Sequence, residues 1–217
     1  MSQQLALALA STIRHDGNGG VADDLVDVAG LTTWIREHAD PLREYAAEPG
    51  PNASTPDEQL RLDVVALRRA VRTLFAHAVR PGPPSWADSS TLLSVPDAVD
   101  QLNQAAGRLP VRPVLNWPDE STPTVAWRCA PADARLRLTA GLARAAIEFL
   151  ASPARAQLLA CPAPRCVRYF VKEHPRQAWC KPSCGNRARV SRHYQRHAAN
   201  PSDDPSRSTS ARSGPTC

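Results

Sequence analysis

Along the first 160 residues, apolar side chains mostly recur every three or four positions, the spacing of helices that bury one stripe. Leu5, Leu9 and Ile13 predict a first helix from Ser2 to about Ile13, and the glycine-rich RHDGNGG after it reads as the loop that stops it. VADDLVDVAGLTTWIREH reads as two short helical pieces with Leu31, Trp34 and Ile35 inward, broken at Asp40-Pro41. The longest stripe is Leu60, Val64, Leu67, Val71, Leu74 and Ala78, which predicts a helix from about Thr55 to Val79. Asp57 and Glu58 suit the positive end of its dipole, while Arg61, Arg68, Arg69 and Arg72 read as a solvated face. A further helix is expected over Pro96–Arg108, with proline early and Gly107 near its end.

The period then changes. RPVLNW and TPTVAWRC, separated by the turn-forming PDES, predict a two-stranded hairpin ending at Cys129, which reads as a core residue. Residues 133–150 return to helical spacing, with Leu136, Ala140, Ala143, Ile147 and Leu150 placed to pack on the long helix. Ser152-Pro153 restarts a short helix to Leu159. In a chain poor in aromatics, Trp34, Trp86, Trp117 and Trp127 read as the core's largest fillers, the alternative being the lining of an apolar pocket. No run of 18 apolar residues suggests a membrane span, and LALALA lacks a basic segment before it and reads as helix, not signal peptide. The expectation is a cytoplasmic protein with reduced thiols.

That expectation bears on the cysteines. Four of the six, Cys161, Cys166, Cys180 and Cys184, fall in a C-x4-C-x13-C-x3-C pattern. Two close pairs joined by a dozen residues can form two turns that meet around a tetrahedral ion. VRYFVK and QAWC read as the strands of an intervening hairpin, and a helix follows, so the segment suggests a treble-clef finger holding structural Zn2+. Disulfides, unmetallated thiols and an iron site are the alternatives. Arg165, Arg168, Lys172 and Lys181 are near enough in sequence to offset the negative charge of four thiolates.

Charge divides the chain at the same place. Residues 1–160 carry 15 Lys and Arg against 18 Asp and Glu, whereas residues 161–200 carry 9 against 1. In the helix after Cys184, Arg189, Arg192, His193 and Arg196 form one row with no carboxylate among them, a pattern suited to phosphate contact. Asn186 and Arg187 near its start could reach base edges, while Val190, Tyr194 and His197 are placed to pack inward. No phosphate-binding glycine loop or nucleophile motif is present, and four thiolates would close the metal, so an enzyme is not expected.

W-C-x3-C-G-N-R-A-R at 179–189, with Cys161 and Cys166 upstream, resembles the CGNR zinc finger, which caps bacterial proteins regarded as stress-induced transcription regulators. LALALASTIRHDG, DLVDVAGLTTWIREH and the hairpin followed by an Ala/Leu helix resemble the ABATE domain that precedes this finger. Family members often carry Leu-Asn-Thr in the first helix where this chain has Ala10-Ser11-Thr12, and often four residues between the second cysteine pair where this chain has three. The combined expectation is a mainly α (α+β) protein: an ABATE-like helical domain over 1–157 with a small hairpin, a CGNR-type finger over 158–198, and a disordered tail over 199–217. The expected function is DNA-binding transcription regulation in a stress response. The alternative is a zinc-stabilised protein- or RNA-interaction module with a ligand-sensing N-terminal domain. A homodimer through the helix at 55–79 or at 133–150, and a small-molecule ligand of the N-terminal domain, are left open.

Overall fold

The structure, a computed structural model, describes residues 2–46, 55–88, 90, 92–119 and 121–199; the tail from Asn200 onward, Cys217 and the side chain of His197 lie outside the described residues. Its frame is helical: α1 (Ser2–Ala10), α2 (Val28–Glu37), α3 (Ala39–Ala46), α4 (Glu58–Ala78), α5 (Val95–Gly107) and α6 (Ala134–Ala151). Short polar side chains start four of these. Asp27, Asp57, Ser94 and Asp133 each accept from the backbone N–H three residues on, which satisfies a donor that the helix itself leaves open and contributes about 1 kcal/mol per cap.

Helix α6 is the hub. Its Leu138, Ala140, Leu142, Ala143, Ala145, Ala146 and Phe149 are buried, and small residues on several sides let α1, α3, α4 and α5 all approach it. Phe75 of α4 meets Phe149 edge to face at 5.5 Å between ring centroids, and meets Tyr169 in the same way at 5.5 Å. Among the described residues, three separate two-stranded antiparallel sheets decorate this frame.

The first sheet stands where the sequence suggested only a loop. Helix α1 ends at Ala10, and β1 (Ile13–His15) pairs with β2 (Val21–Asp23) across RHDGNGG. Asp16 Oδ1 accepts from the N–H of Asn18 at 2.8 Å and of Gly20 at 2.9 Å, and Gly17 and Gly19 adopt φ of 96° and 105°. The glycines therefore shape a turn and do not merely interrupt a helix. Asp40-Pro41 breaks nothing, since α3 runs through it with proline in the first turn, where its missing N–H costs no helical bond. The long helix begins at Glu58, three residues after Thr55, with Asp57 as its cap.

Arg68 and Arg72 correct the expectation of a solvated face. Both are buried, at 5% and 4% exposure. Arg68 forks onto Asp23 of β2 and donates to Thr12 Oγ1 at 3.0 Å; Arg72 forks onto Asp88, with Nε to Oδ1 at 2.6 Å and Nη2 to Oδ2 at 3.0 Å. Of the four tryptophans expected to fill the core, Trp34 is buried there, while Trp86, Trp117 and Trp127 are exposed. The second sheet, β3 (Val111–Asn116) with β4 (Thr124–Cys129), is the expected hairpin, but it stands out from the body and leaves Cys129 half-buried at its base.

Candidate metal centre and nucleic-acid interface

After α6 a 3-10 turn (Pro153–Gln157) leads into β5 (Leu158–Ala160), which pairs with β6 (Tyr169–Val171). The partner of VRYFVK is thus the strand before Cys161, not QAWC, and the short helix expected to reach Leu159 stops at Gln157. The hairpin loop holds the first cysteine pair. Cys161 N–H donates to Arg168 O at 2.9 Å, Cys166 N–H donates to Ala163 O at 3.0 Å, and Arg165 takes the left-handed φ of 61° that the tight turn requires. The chain returns through Trp179 and Cys180 into α7 (Pro182–Ala199), whose first turn carries Cys184.

This path brings all four Sγ atoms within 4.8 Å of one another. The separations are 3.5 Å for Cys180–Cys184, 3.7 Å for Cys166–Cys180 and 3.8 Å for Cys166–Cys184. Four sulfurs at about 2.3 Å from a tetrahedral Zn2+ lie about 3.8 Å apart, whereas a disulfide needs about 2.05 Å. Cys161, Cys166 and Cys184 are buried, and together with Ala163 and Phe170 they form a small core separate from the main one. Thiols this close cannot all ionise by themselves: the hydrogen bond from Cys161 draws the Cys166 thiol down to about 3, and the hydrogen bonds with Cys161 and Cys166 push Cys180 up. A divalent cation resolves that conflict, and a closed set of four thiolates fits structural Zn2+.

The CGNR residues each have a visible task. A Cβ on Gly185 would sit 2.9 Å from Trp179 Cδ1 and 3.1 Å from its Nε1, so glycine lets the indole close over the start of α7. Arg187 folds back and donates from Nη2 to Cys184 Sγ at 3.4 Å, an interaction that supports a thiolate ligand. Asn186 Oδ1 accepts from Arg189 Nη2 at 2.8 Å. Arg168 also serves the sulfurs, through its backbone, and the Arg165 guanidinium lies 3.6 Å from the position of a Cβ on Gly19, against the β1–β2 turn. Arg187, expected from sequence to reach base edges, instead has an amino group against Cys184, while the sequence named Arg165, Arg168, Lys172 and Lys181 as the cations near the sulfurs.

Beyond its first two turns α7 leaves the body. Arg189, Arg192, His193 and Arg196 are exposed, and so is Asn186. Val190 and Tyr194, expected to pack inward, are instead 54% and 70% exposed. Helix α7 contains no Asp or Glu.

The finger is joined to the helical frame by buried polar contacts. Arg72 Nη2 and Ser85 Oγ both donate to Val167 O, at 3.2 and 3.1 Å, and Tyr169 Oη donates to Asp88 Oδ2 at 2.6 Å. Burial, with the Asp88 charge, holds the Tyr169 hydroxyl well above its ordinary range, so it stays a donor.

Among the described residues no helix is long and apolar enough to cross a membrane. No curated protein matches the chain. Two family profiles do: ABATE, described as "Putative stress-induced transcription regulator", over residues 3–153, and the CGNR zinc finger over residues 157–197. With most of its length matched by the first and its four clustered cysteines inside the second, the chain belongs to the ABATE family and carries a C-terminal CGNR zinc finger.

Proposed function

We propose that the protein is a cytoplasmic DNA-binding transcription regulator, not an enzyme, in which Zn2+ fixes the start of α7 and the rest of that helix meets DNA. The observation that carries this reading is the exposed, carboxylate-free row Arg189, Arg192, His193 and Arg196, which projects past the part of α7 held by the metal turns. Guanidiniums with no carboxylate along their own helix gain by releasing counterions from phosphates. Asn186 is tied to Arg189 and orients it, and Arg187 supports the thiolate, so phosphate positioning is assigned to the later turns and not to base reading by Arg187. A zinc shell closed by four thiolates leaves no position for substrate, which supports a structural ion.

A second reading is a zinc-stabilised RNA- or protein-binding module. Exposed Tyr194, edge to face with His193 at 6.1 Å, favours RNA because an aromatic ring can stack an unpaired base. Fluorescence anisotropy of a labelled duplex, titrated across salt with and without chelation, tests both readings. Steeply salt-dependent duplex binding that disappears on chelation supports the regulator. Metal-dependent folding with no duplex binding at low salt sinks it, and preference for single-stranded RNA selects the second reading.

A further inference from the structure

Between the β1–β2 hairpin and α4 lies a cavity of about 330 Å³ that the proposed function does not use. Ile13 and Val21 of the hairpin, Val65 of α4 and Leu92 form its apolar walls. Charged side chains line it as well: Arg68, Arg69 and Arg72 of α4, together with Asp88. Arg68, Arg72 and Asp88 are buried, whereas Arg69 is exposed. The charges do not cancel. Arg72 forks onto Asp88 and Arg68 onto Asp23, so two carboxylates face three guanidiniums and one positive charge is in excess among these five groups. Donors are in excess too. Arg68 directs both Nη1 hydrogens and one of Nη2 at Thr12 and Asp23, and among the described residues its Nε has no acceptor. His15 adds a second unused donor. It shares the hairpin face of Ile13 and Val21, since Val21 is its cross-strand partner and Ile13 stands two residues before it. Its Nδ1 accepts from the N–H of Gly17 at 2.6 Å, so the ring proton is on Nε2, which is buried with no partner.

We infer that this cavity binds a small organic monocarboxylate, its apolar body against the Ile, Val and Leu walls and its carboxylate toward the guanidiniums. Charge selects an anion, because the excess is positive and the unused groups are donors only. One excess charge matches one carboxylate, and a ligand with little else that is polar suits walls that cannot hydrogen-bond it. Volume sets the size. At about 30 Å³ per water the cavity has the room of about eleven waters, which corresponds to about ten non-hydrogen atoms. Apolar walls with a few convergent polar groups are the usual make-up of a small-molecule site. The position has a consequence as well: Arg72 lines the cavity and also donates to Val167 O, so a ligand here lies against the joint between the helical frame and the finger. The inference does not rest on DNA binding.

Methyl-detected NMR of the zinc-loaded full chain, titrated with octanoate and with 3-phenylpropanoate, tests it. Saturable shifts at Ile13, Val21, Val65 and Leu92 are expected, with Kd of about 1 mM or tighter. The corresponding neutral amides should bind at least about tenfold more weakly, since they forfeit the charge-assisted contacts. Val65→Trp fills the cavity from a half-buried position on α4 and should abolish the shifts at Ile13, Val21 and Leu92 with zinc stoichiometry intact. Arg69→Met, at an exposed position, should narrow the preference for acid over amide, and it keeps the test open if Val65→Trp fails to fold. No saturable shift with either acid overturns the inference. So do equal affinities for acid and amide in the parent chain. Shifts that centre instead on exposed Leu115 and Val125 of the β3–β4 hairpin overturn it too, since they report adsorption to an apolar surface.

Discussion

Arg72 in the middle of α4 donates to the carbonyl of Val167, one residue past the zinc ligand Cys166. The same guanidinium forks onto Asp88 and donates to Ala10 O at 2.6 Å, so one buried side chain ties α1, the Trp86–Asp88 turn, α4 and the finger together. Arg suits this post because its planar fork supplies several fixed donors at once.

Removing it should be costly. Arg72→Met leaves the Asp88 carboxylate buried without its cation, and breaking such a pair costs about 3–5 kcal/mol. For a chain of this size that lowers the melting temperature by about 10 °C. Adding Asp88→Leu should recover part of the loss in thermal melts, since the isolated charge is then gone. An Arg72→Met protein that melts like the parent would show that the network contributes nothing net.

Removal of Zn2+ should act unevenly. Tyr169 and Leu158 belong to the main core, whereas the cysteines pack in a cluster of their own. Chelation should therefore unwind α7 and the cysteine turns while α1 to α6 and the contacts of Tyr169 persist. Circular dichroism should lose a minority of its helical signal, and a second, cooperative melt should remain. One transition that destroys everything on chelation would show the frame to depend on the metal. Cys184→Ser should mimic the chelated state.

The pH dependence has a defined sign at Asp23. Burial alone would raise its carboxyl, but the hydrogen bonds and charge of Arg68 outweigh this and hold it below the ordinary range. A carboxylate depressed in the folded state stabilises above its unfolded pKa of about 3.9, and that contribution is lost as pH falls through the lower, folded value. Asp23→Asn should therefore flatten the acid limb of stability against pH below about pH 4 while lowering stability at neutrality. An unchanged acid limb would show that the Arg68 contact is not felt in solution.

Gly185 sets two effects against each other. Alanine in a helix is favoured over glycine by up to about 1 kcal/mol, yet its Cβ would meet Trp179 at 2.9 Å. Trp179 must then swing off the helix that carries Cys184, so Gly185→Ala should release zinc faster to a chromophoric chelator. Combined with Trp179→Ala the same change should be neutral or stabilising, and a double-mutant cycle reports the coupling. Equal effects with and without the indole would remove this account of the glycine.

What the sequence made legible followed from repetition and from chemistry. The stripe from Leu60 to Ala78 announced α4, and the four-cysteine spacing announced the metal site that the sulfur distances bear out. Arg68 and Arg72 misled because the partners that justify their burial, Asp23 and Asp88, are 45 and 16 residues away, and nothing local marks such pairs. The β1–β2 hairpin was hidden by strands of three residues, too short to show alternation. QAWC lies between the cysteine pairs and reads as the partner of VRYFVK, but the actual partner, β5, precedes Cys161 and so falls outside the cysteine spacing. Exposure of Trp117 and Trp127 could not be read from their type, since a hairpin's sequence does not say whether the body covers it.

The DNA reading predicts how individual arginines behave. If Arg192 and Arg196 each meet a phosphate, replacing either by alanine should weaken duplex binding about uniformly across sequences. Each replacement should also reduce the magnitude of the slope of log K against log salt by about 1. Arg187→Ala should differ in kind: it strips a donor from Cys184 Sγ, so its loss of binding should track zinc loss and be repaired by excess metal. Measured by anisotropy at several salt concentrations, the two classes separate cleanly. If Arg192→Ala and Arg196→Ala leave both affinity and slope unchanged, α7 is not the surface that meets nucleic acid, whatever the chain as a whole binds.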